Sequence, residues 1–253
     1  MHLRGRMVAM SNSRMARLVF CAALWAPAGC HGGSGQQLRA QPEMKPAPQT
    51  PIAEKKDELG KESWDPEWDQ IVEKALPPEM LSASVARDVR PFCPRFVKMG
   101  EADKRAFWAY FFQALAGAET GLVPTKDVHH PTQSPGVKDT VTKRTVRSEG
   151  LLQLTFMDAE RYGCNFDWDK DKKLAEKDPS KTILQPGNSL TCGVKILFNQ
   201  LITQRKPLLS RSSYWSTLRP GGPSYRVFAK QMTNVPAVCR VDPALVATEA
   251  ARR

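Results

Sequence analysis

The chain has 253 residues, of which 41% are hydrophobic and 25% are charged, and its formal net charge is +11. This length accommodates one domain of ordinary size with appended segments. The charge suits contact with an anionic polymer, but the sequence has no long uninterrupted basic run of the kind that marks nucleic-acid binders.

Residues 1–29 are predicted to be an export signal rather than part of the folded protein. A basic start is followed by the apolar run LVFCAALWAPAG at 18–29, which is shorter than the roughly 20 apolar residues of a membrane-spanning helix. Without the four arginines of this segment, 33 basic residues face 26 acidic ones, so the remaining chain carries about +7. An export signal also argues against a nucleic-acid partner.

The sequence APAGC at 26–30 resembles the lipobox of bacterial lipoproteins, although Pro27 departs from the usual leucine. The resemblance implies that Cys30 is acylated, becomes the first mature residue and anchors the protein in the cell envelope. His31 stands where an aspartate would favour the inner membrane, so we expect the outer membrane, facing the periplasm. The alternative is an ordinary secretory signal cut near Ala28, with Cys30 a spare thiol.

A flexible tether is expected after the lipidated cysteine, because 31–63 is rich in Gly, Gln, Pro and Lys and lacks aromatic residues. The segment 30–63 therefore precedes a folded domain at 64–253. Four cysteines fall in that domain, which in an exported chain predicts two disulfides. Three pairings are possible, and we favour Cys164–Cys192 and Cys93–Cys239, since the second would tie the ends of the domain together.

The domain is predicted to be mostly α. Asp65 is a candidate N-cap before Pro66, and the segment 101–119 has apolar residues at helical spacing and ends at Gly121. No segment shows sustained strand alternation. Helices are predicted at 66–76, 101–119, 149–163, 187–205 and 223–232.

A long polar loop at 124–147 separates the second and third predicted helices. Loops of this length in small domains are usually functional or disordered. A short β-hairpin is possible at 134–146. Two adjacent histidines in the loop, His129 and His130, cannot easily point the same way, and no Cys/His spacing suits zinc, so neither a metal nor a cofactor is expected.

Three motifs appear in a suggestive order: ETG at 119–121, SEGLLQLTFMDAERYG at 148–163 and DPSKTILQPGNSLTCGVKILFNQL at 178–201. Together they resemble soluble lytic transglycosylases and goose-type lysozymes over roughly 100–230. The resemblance implies a lysozyme-like helical domain, monomeric, that cleaves the β-1,4 bond between N-acetylmuramic acid and N-acetylglucosamine in peptidoglycan. Glycan strands, and the membrane through the lipid anchor, would be its partners.

Glu119 is the candidate catalytic residue. The resemblance implies that it protonates the glycosidic oxygen and then acts as a base on the muramic 6-hydroxyl, closing a 1,6-anhydro ring without a second carboxylate. The residues agree, because burial beside Phe111, Phe112 and Leu115 would disfavour the charged carboxylate and keep the proton in place. The alternative is a solvated glutamate at a helix end.

The resemblance also implies a substrate-binding segment. Gly150 and Gln153 match the family's GLMQ element, where glycine would let the backbone approach a sugar and the glutamine amide would bond it. Leu151 lies between them in this segment, although its spacing with Leu152 and Leu154 favours helix core.

A tyrosine after the third helix reaches the catalytic carboxyl in the family. Tyr214 in SSYWSTLRPGGPSY (212–225) is the nearest counterpart, and it either orients Glu119 or lies in the core with a satisfied hydroxyl. Trp215 either stacks on a sugar or is buried. Thr182 occupies the position of a family asparagine, which puts that structural hydrogen bond in doubt.

Two other functions remain open. A hydrolytic lysozyme, including one that acts on modified or deacetylated peptidoglycan, would need a second carboxylate to activate water. A non-catalytic wall-binding lipoprotein would keep the fold without cleavage. The acidic residues considered for the hydrolytic mechanism are Asp158, Glu160, Asp167 and Asp169.

Overall fold

The computed structural model describes residues 63–126 and 136–240, and within these ranges the protein is mostly helical, as predicted. The described α-helices are α1 (Pro66–Ala75), α2 (Ala86–Val89), α3 (Glu101–Thr120), α4 (Met157–Tyr162), α5 (Trp168–Asp171), α6 (Pro186–Phe198) and α7 (Pro223–Met232). Short 3₁₀ helices lie at Pro78–Leu81, Ala83–Val85, Phe96–Lys98, Ser216–Leu218 and Ala237–Cys239, and a π-helical turn at Asn199–Thr203.

Helix α1 forms as its sequence predicts. The side chain of Asp65 accepts a hydrogen bond from the Glu67 backbone N–H, and Pro66 occupies the first helical position, where its missing N–H costs nothing. The helix packs against both α3 and α6. Val72 is its fully buried contact with the core.

Helix α3 is the central element of the fold and packs against α1 and α7. Its aromatic residues Phe107, Trp108 and Phe111 are fully buried, and Trp108 meets each of the other two edge to face. Gly121 ends the helix in the left-handed conformation, with φ of 63°, which a glycine adopts without strain. The predicted helix at 101–119 is thus confirmed, and its apolar residues fill the core.

The prediction of one helix over 149–163 is wrong in its first half. Residues 149–154 form a tight loop closed by paired backbone hydrogen bonds between Glu149 and Leu154, at 2.7 and 2.8 Å. Gly150 and Gln153 have φ of 76° and 50°, outside the helical range. Helix α4 begins only at Met157 and ends, as expected, at left-handed Gly163. We call residues 149–154 the GLLQ loop.

The predicted helices at 187–205 and 223–232 are confirmed as α6 and α7, with a π-helical turn following α6. Gly193 of α6 lies where α3 and the GLLQ loop meet. A Cβ atom there would lie 2.5 Å from Leu152 Cδ1 and 2.8 Å from Phe112, so only glycine permits this contact. Three segments far apart in sequence therefore converge at one point of the core.

The described part of the predicted hairpin is mainly a turn. A single bridge pairs Lys138 with Thr145, and no strand extends from it within residues 136–147. Asp139 organises this turn, because its buried carboxylate accepts hydrogen bonds from the N–H groups of Val141, Thr142 and, from outside the turn, Met157. His129 and His130 lie outside the described residues.

Both favoured disulfides are confirmed. Cys93–Cys239 joins positions 146 residues apart, and Cys164–Cys192 joins α6 to the segment after α4, 28 residues earlier. Cys30 and the predicted signal lie outside the described residues. None of the described helices combines the length and apolarity needed to cross a bilayer.

Candidate functional site

Glu119 lies in the last turn of α3 and is only 5% exposed. The turn before it consists of buried Leu115, Ala116 and Gly117. One carboxyl oxygen, Oε1, accepts a hydrogen bond from the hydroxyl of Thr217. The alternative of a solvated helix-end glutamate therefore does not describe this side chain, which is buried and held by a hydroxyl donor.

Thr120, which follows Glu119, joins the end of α3 to the GLLQ loop. Its hydroxyl lies 3.1 Å from the carbonyl oxygens of both Ala116 and Leu151, within hydrogen-bond distance of each. Thr120 is 1% exposed. Thr120, the middle residue of the ETG motif, therefore connects the end of α3 to the loop that contains the GLLQL motif.

Gly150 is explained by packing within the protein. Its φ is 76°, and a Cβ atom would lie 2.4 Å from the carbonyl oxygen of Ile183. The close approach of Ile183 is by itself enough to require a glycine here, and the predicted approach of a sugar to Gly150 stays a prediction. Leu151 is fully buried, so its assignment to substrate binding is wrong and its core position is confirmed.

Gln153 is 4% exposed, and its Nε2 donates a 3.1 Å hydrogen bond to the Gly150 carbonyl, within the loop. Its Oε1 is buried and has no hydrogen-bond partner among the described residues. A buried amide oxygen without a partner is costly, typically about 1–3 kcal/mol. The oxygen is also shielded from the surface, so the predicted contact of this amide with a sugar stays a prediction.

Tyr214 does not orient Glu119. Its hydroxyl donates to Oδ2 of Asp158 at 2.5 Å, so the alternative of a core tyrosine with a satisfied hydroxyl is confirmed. Burial, followed by the negative charge of Asp158, raises the pKa of Tyr214 well above 10. Asp158 is itself fully buried, and burial raises its pKa although Thr155 donates both its N–H and its hydroxyl to the same oxygen.

Trp215 is buried, at 3% exposure, and its indole N–H donates to the Leu152 carbonyl at 2.7 Å. It therefore belongs to the core and offers no face to a sugar, which corrects its assignment to substrate binding. Two residues later, Thr217 makes the contact with Glu119 that one of the two alternatives gave to Tyr214. The contact thus comes from the segment 212–225, through Thr217 rather than Tyr214.

The other carboxylates considered for hydrolysis have roles of their own. Asp167 caps α5 by accepting the Lys170 N–H at 3.0 Å. Asp169 is exposed and forms an ion pair with Lys172. Glu160 is also exposed and accepts the hydroxyl of Thr140. Asp158 is hydrogen-bonded to Tyr214, so each of these four residues has a structural role or lies at the exposed surface.

Thr182, where the sequence resemblance would place an asparagine, makes hydrogen bonds of its own. Its hydroxyl donates to Asp171 at 2.7 Å and accepts from the Asp167 N–H at 2.8 Å. Asn188 Nδ2 donates to the Thr182 carbonyl at 2.9 Å. Asp171 also accepts the N–H of Ile183, which holds the carbonyl of that residue against Gly150.

Two surface grooves adjoin the GLLQ loop. The small groove, about 230 Å³, is lined by Thr125, Lys126, Arg147, Ser148, Glu149, Gly150, Glu176, Lys177 and Leu184. The large groove, about 860 Å³, is lined by Asp139, Thr142, Arg144, Thr145, Arg147, Glu149, Phe156, Trp168, Asp171, Lys172, Leu174, Glu176 and Lys181. Because they share Arg147, Glu149 and Glu176, they are adjacent. Glu119 lines neither groove and is connected to them through Thr120 and the GLLQ loop.

Among the described residues, no group of three or more His, Cys, Asp or Glu side chains is arranged to hold a metal ion. No protein-family model matches the chain, and no curated protein sequence matches it. The fold is similar to that of the Bdellovibrio protein DslA, at 22% sequence identity over 69% of this chain and 91% of DslA. The TM-score is 0.51 for wild-type DslA and 0.52 for a variant in which glutamine replaces a glutamate. At this identity the similarity concerns the fold alone.

Proposed function

We propose that the protein is a peptidoglycan lytic enzyme that cleaves the β-1,4 bond between N-acetylmuramic acid and N-acetylglucosamine. The observation that carries the proposal is the buried carboxyl of Glu119, at the end of an apolar helix and bonded by Thr217. The order of the ETG, GLLQL and DP…I…G…L motifs supports it. A carboxyl group that the fold holds in one orientation is suited to proton transfer.

In the first step of the proposed reaction, Glu119 donates its proton to the glycosidic oxygen, and the bond from that oxygen to C1 of the muramic residue breaks. The acetamido group of the same sugar supports the positive charge that develops at C1. The Glu119 carboxylate then takes the proton of the 6-hydroxyl, whose oxygen bonds to C1. The product is a 1,6-anhydro sugar, and Glu119 ends the cycle protonated.

Thr217 has a positioning role in this proposal. The Thr217 hydroxyl donates a hydrogen bond to Oε1 of Glu119, and this restricts rotation of the Glu119 carboxyl group. Catalytic groups must be held close to the productive geometry for proton transfer to be efficient. The neighbouring bond from Trp215 to Leu152 fixes the segment that carries Thr217.

The hydrolytic alternative, including action on deacetylated glycan, requires a second carboxylate with a water molecule in reach. Glu149 lines both grooves, but its Oε2 accepts a 2.6 Å hydrogen bond from Lys181. Both side chains of this ion pair are largely buried, which favours a structural role for Glu149. We therefore prefer the non-hydrolytic route. The further alternative, a non-catalytic wall-binding lipoprotein, predicts binding without release of soluble fragments.

We place the enzyme in the cell envelope, anchored through Cys30, with the outer membrane as the expected site. The two disulfides are compatible with an exported protein. Fractionation of cells that express the whole chain tests this part. The wild type should fractionate with membranes, and Cys30→Ser should become soluble; an unchanged distribution would contradict lipid anchoring.

Clearing of a suspension of purified cell wall tests the proposed activity. The wild type should lower turbidity, and Glu119→Gln should lose at least about 100-fold in rate, the usual contribution of a general acid. Glu101→Gln is the matched control, because it makes the same change at the exposed start of the same helix. Equal clearing by all three proteins would remove Glu119 from the mechanism.

A further inference from the structure

The side chains that line the large groove include four cations and four carboxylates. Most of these charged groups already have an ion-pair or hydrogen-bond partner within the protein. Asp139 accepts three backbone N–H groups, and Asp171 accepts bonds from Thr182 and Ile183. Both carboxylates are buried, at 2% and 1% exposure. Because they are buried and hydrogen-bonded within the protein, these two carboxylates hold the lining of the groove together rather than bind a ligand.

The remaining carboxylates of the wall are paired with cations. Glu149 binds Lys181 at 2.6 Å, and both side chains are largely buried. Glu176 forms an ion pair with Arg147. A nucleic acid or other polyanion would meet these carboxylates at close range, so the groove does not suit a densely charged ligand.

Arg144 is the exception in this wall. It is exposed, and within residues 63–126 and 136–240 its guanidinium has neither an ion pair nor a hydrogen bond. It stacks over the ring of Trp168, 4.9 Å from the ring centroid. Phe156 supports that ring from its edge, with ring centroids 5.0 Å apart. Stacking orders the guanidinium plane while its N–H groups stay available at the edge.

A stacked guanidinium with open N–H groups fits one carboxylate, which it can bind with two parallel hydrogen bonds. Thr142 and Thr145, at the rim of the same groove, add hydroxyl groups. These features describe a site for one carboxylate of a larger ligand rather than for a bare ion.

We propose that the large groove binds the stem peptide of peptidoglycan, with a peptide carboxylate on Arg144. This inference rests on the proposed function, since it names a second part of the same substrate. The geometry supports it: the large groove meets the small groove at Glu149, and the small groove reaches Gly150. From there the chain continues to Leu151, whose carbonyl contacts Thr120 beside Glu119. The GLLQ loop therefore links the lining of the large groove to the end of α3, which carries Glu119.

Binding to the Glu119→Gln protein tests the proposal, because the ligand stays uncut. Calorimetric titration would use three probes: a disaccharide–tetrapeptide of peptidoglycan, the same disaccharide without peptide, and chitotetraose, which has no carboxylate. We expect the peptide-bearing probe to bind more tightly than the other two. Adding Arg144→Met should weaken the binding of that probe about tenfold, the scale of one charge-assisted hydrogen bond, and leave the binding of chitotetraose unchanged.

Arg226→Met is the matched control, since Arg226 is an exposed arginine on α7 that lines neither groove. Arg144→Lys keeps the charge but loses the two-pronged geometry, so it should bind the peptide probe with intermediate affinity. Equal affinities for the three probes, or no effect of Arg144→Met, would overturn the proposal. An Arg144 effect on the peptide-free disaccharide would overturn it in favour of the lactyl carboxylate.

This result is independent of catalysis. If the wild type released no sugar from cell wall while the peptide probe still depended on Arg144, the proposed activity would fail and the binding site would stand. If the wild type cleaved cell wall but Arg144→Met did not change binding of the peptide probe, the proposed activity would stand and the binding site would fail.

Discussion

Thr217 and Glu119 lie 98 positions apart in the sequence and are joined by a hydrogen bond from the threonine hydroxyl to Oε1 of the glutamate. Both side chains are buried, at 0% and 5% exposure. A second bond, from Trp215 to the Leu152 carbonyl, holds the same segment against the GLLQ loop. The end of α3, the GLLQ loop and the 3₁₀ helix at Ser216–Leu218 thus form one connected unit around a single carboxyl.

The first prediction concerns Thr217. Thr217→Val keeps the shape of the side chain but removes the donor, so the Glu119 carboxyl loses this hydrogen bond, a change that costs about 0.5–1.5 kcal/mol. We expect kcat on soluble glycan fragments to fall about tenfold or more with little change in KM. Thr217→Ser restores a hydroxyl and should recover most of the rate. Failure of serine to rescue would mean that Thr217 acts by packing alone.

The buried pair of Asp158 and Tyr214 should make stability depend on pH. Burial raises the pKa of Asp158 above its ordinary value of 3.8, so the folded protein holds that proton more tightly than the unfolded chain. The stability from this group is therefore fully present below about pH 3.8 and is lost as pH rises through the raised pKa. We expect urea unfolding to show a larger advantage of wild type over Asp158→Asn at low pH than at neutral pH.

Asp103→Asn, at an exposed position in the first turn of α3, is the control for the substitution itself. An advantage of wild type over Asp158→Asn that grows as pH rises would contradict the raised pKa. Tyr214→Phe should destabilise the protein by about 1–3 kcal/mol, because Asp158 would lose its hydroxyl donor inside the core.

Two glycines with positive φ should respond very differently to alanine. Gly150→Ala would place Cβ 2.4 Å from the Ile183 carbonyl, so we expect a loss of about 3 kcal/mol or more in the free energy of unfolding. Gly221 has φ of 93° and nothing within 4 Å of its Cβ position. Gly221→Ala should therefore cost only about 1 kcal/mol of backbone strain. Equal losses, measured by urea unfolding, would rule out the clash with Ile183.

The two disulfides should contribute unequally to stability. In the chain-entropy description, a crosslink across 146 residues contributes about 5 kcal/mol and one across 28 residues about 3.6 kcal/mol. Replacing Cys93 and Cys239 with alanine should thus destabilise the protein more than replacing Cys164 and Cys192. Denaturant unfolding of the two double variants measures this directly, and the opposite order would show that local packing outweighs chain entropy.

The helices could be predicted from sequence because their signals are local. Asp65 and Pro66 mark the start of α1, and Gly121 the end of α3. The GLLQ loop could not, since its leucines are buried on all sides of a tight turn and an apolar run of that length is compatible with a helix. Its shape depends on the close approach of Ile183 to Gly150, a contact between distant parts of the chain.

The candidate site shows the same division. The ETG motif and the apolar helix before it identify Glu119, and the SSYWSTL segment is correctly predicted to reach it. Which hydroxyl makes the contact depends on the turn of the backbone between Tyr214 and Thr217, which directs the tyrosine to Asp158 instead. The sequence is compatible with Trp215 either in the core or in contact with a sugar. Its hydrogen bond to the Leu152 carbonyl shows that it lies in the core.

Mass spectrometry of the sugars released from purified cell wall tests the role of Glu119 most directly. We expect the wild type to release muropeptides with 1,6-anhydro ends, each lighter by one water than a hydrolytic product, and Glu119→Gln to release none. Release of the same products by Glu119→Gln, or binding to the wall without release by the wild type, would contradict the proposal that this buried carboxyl transfers the proton.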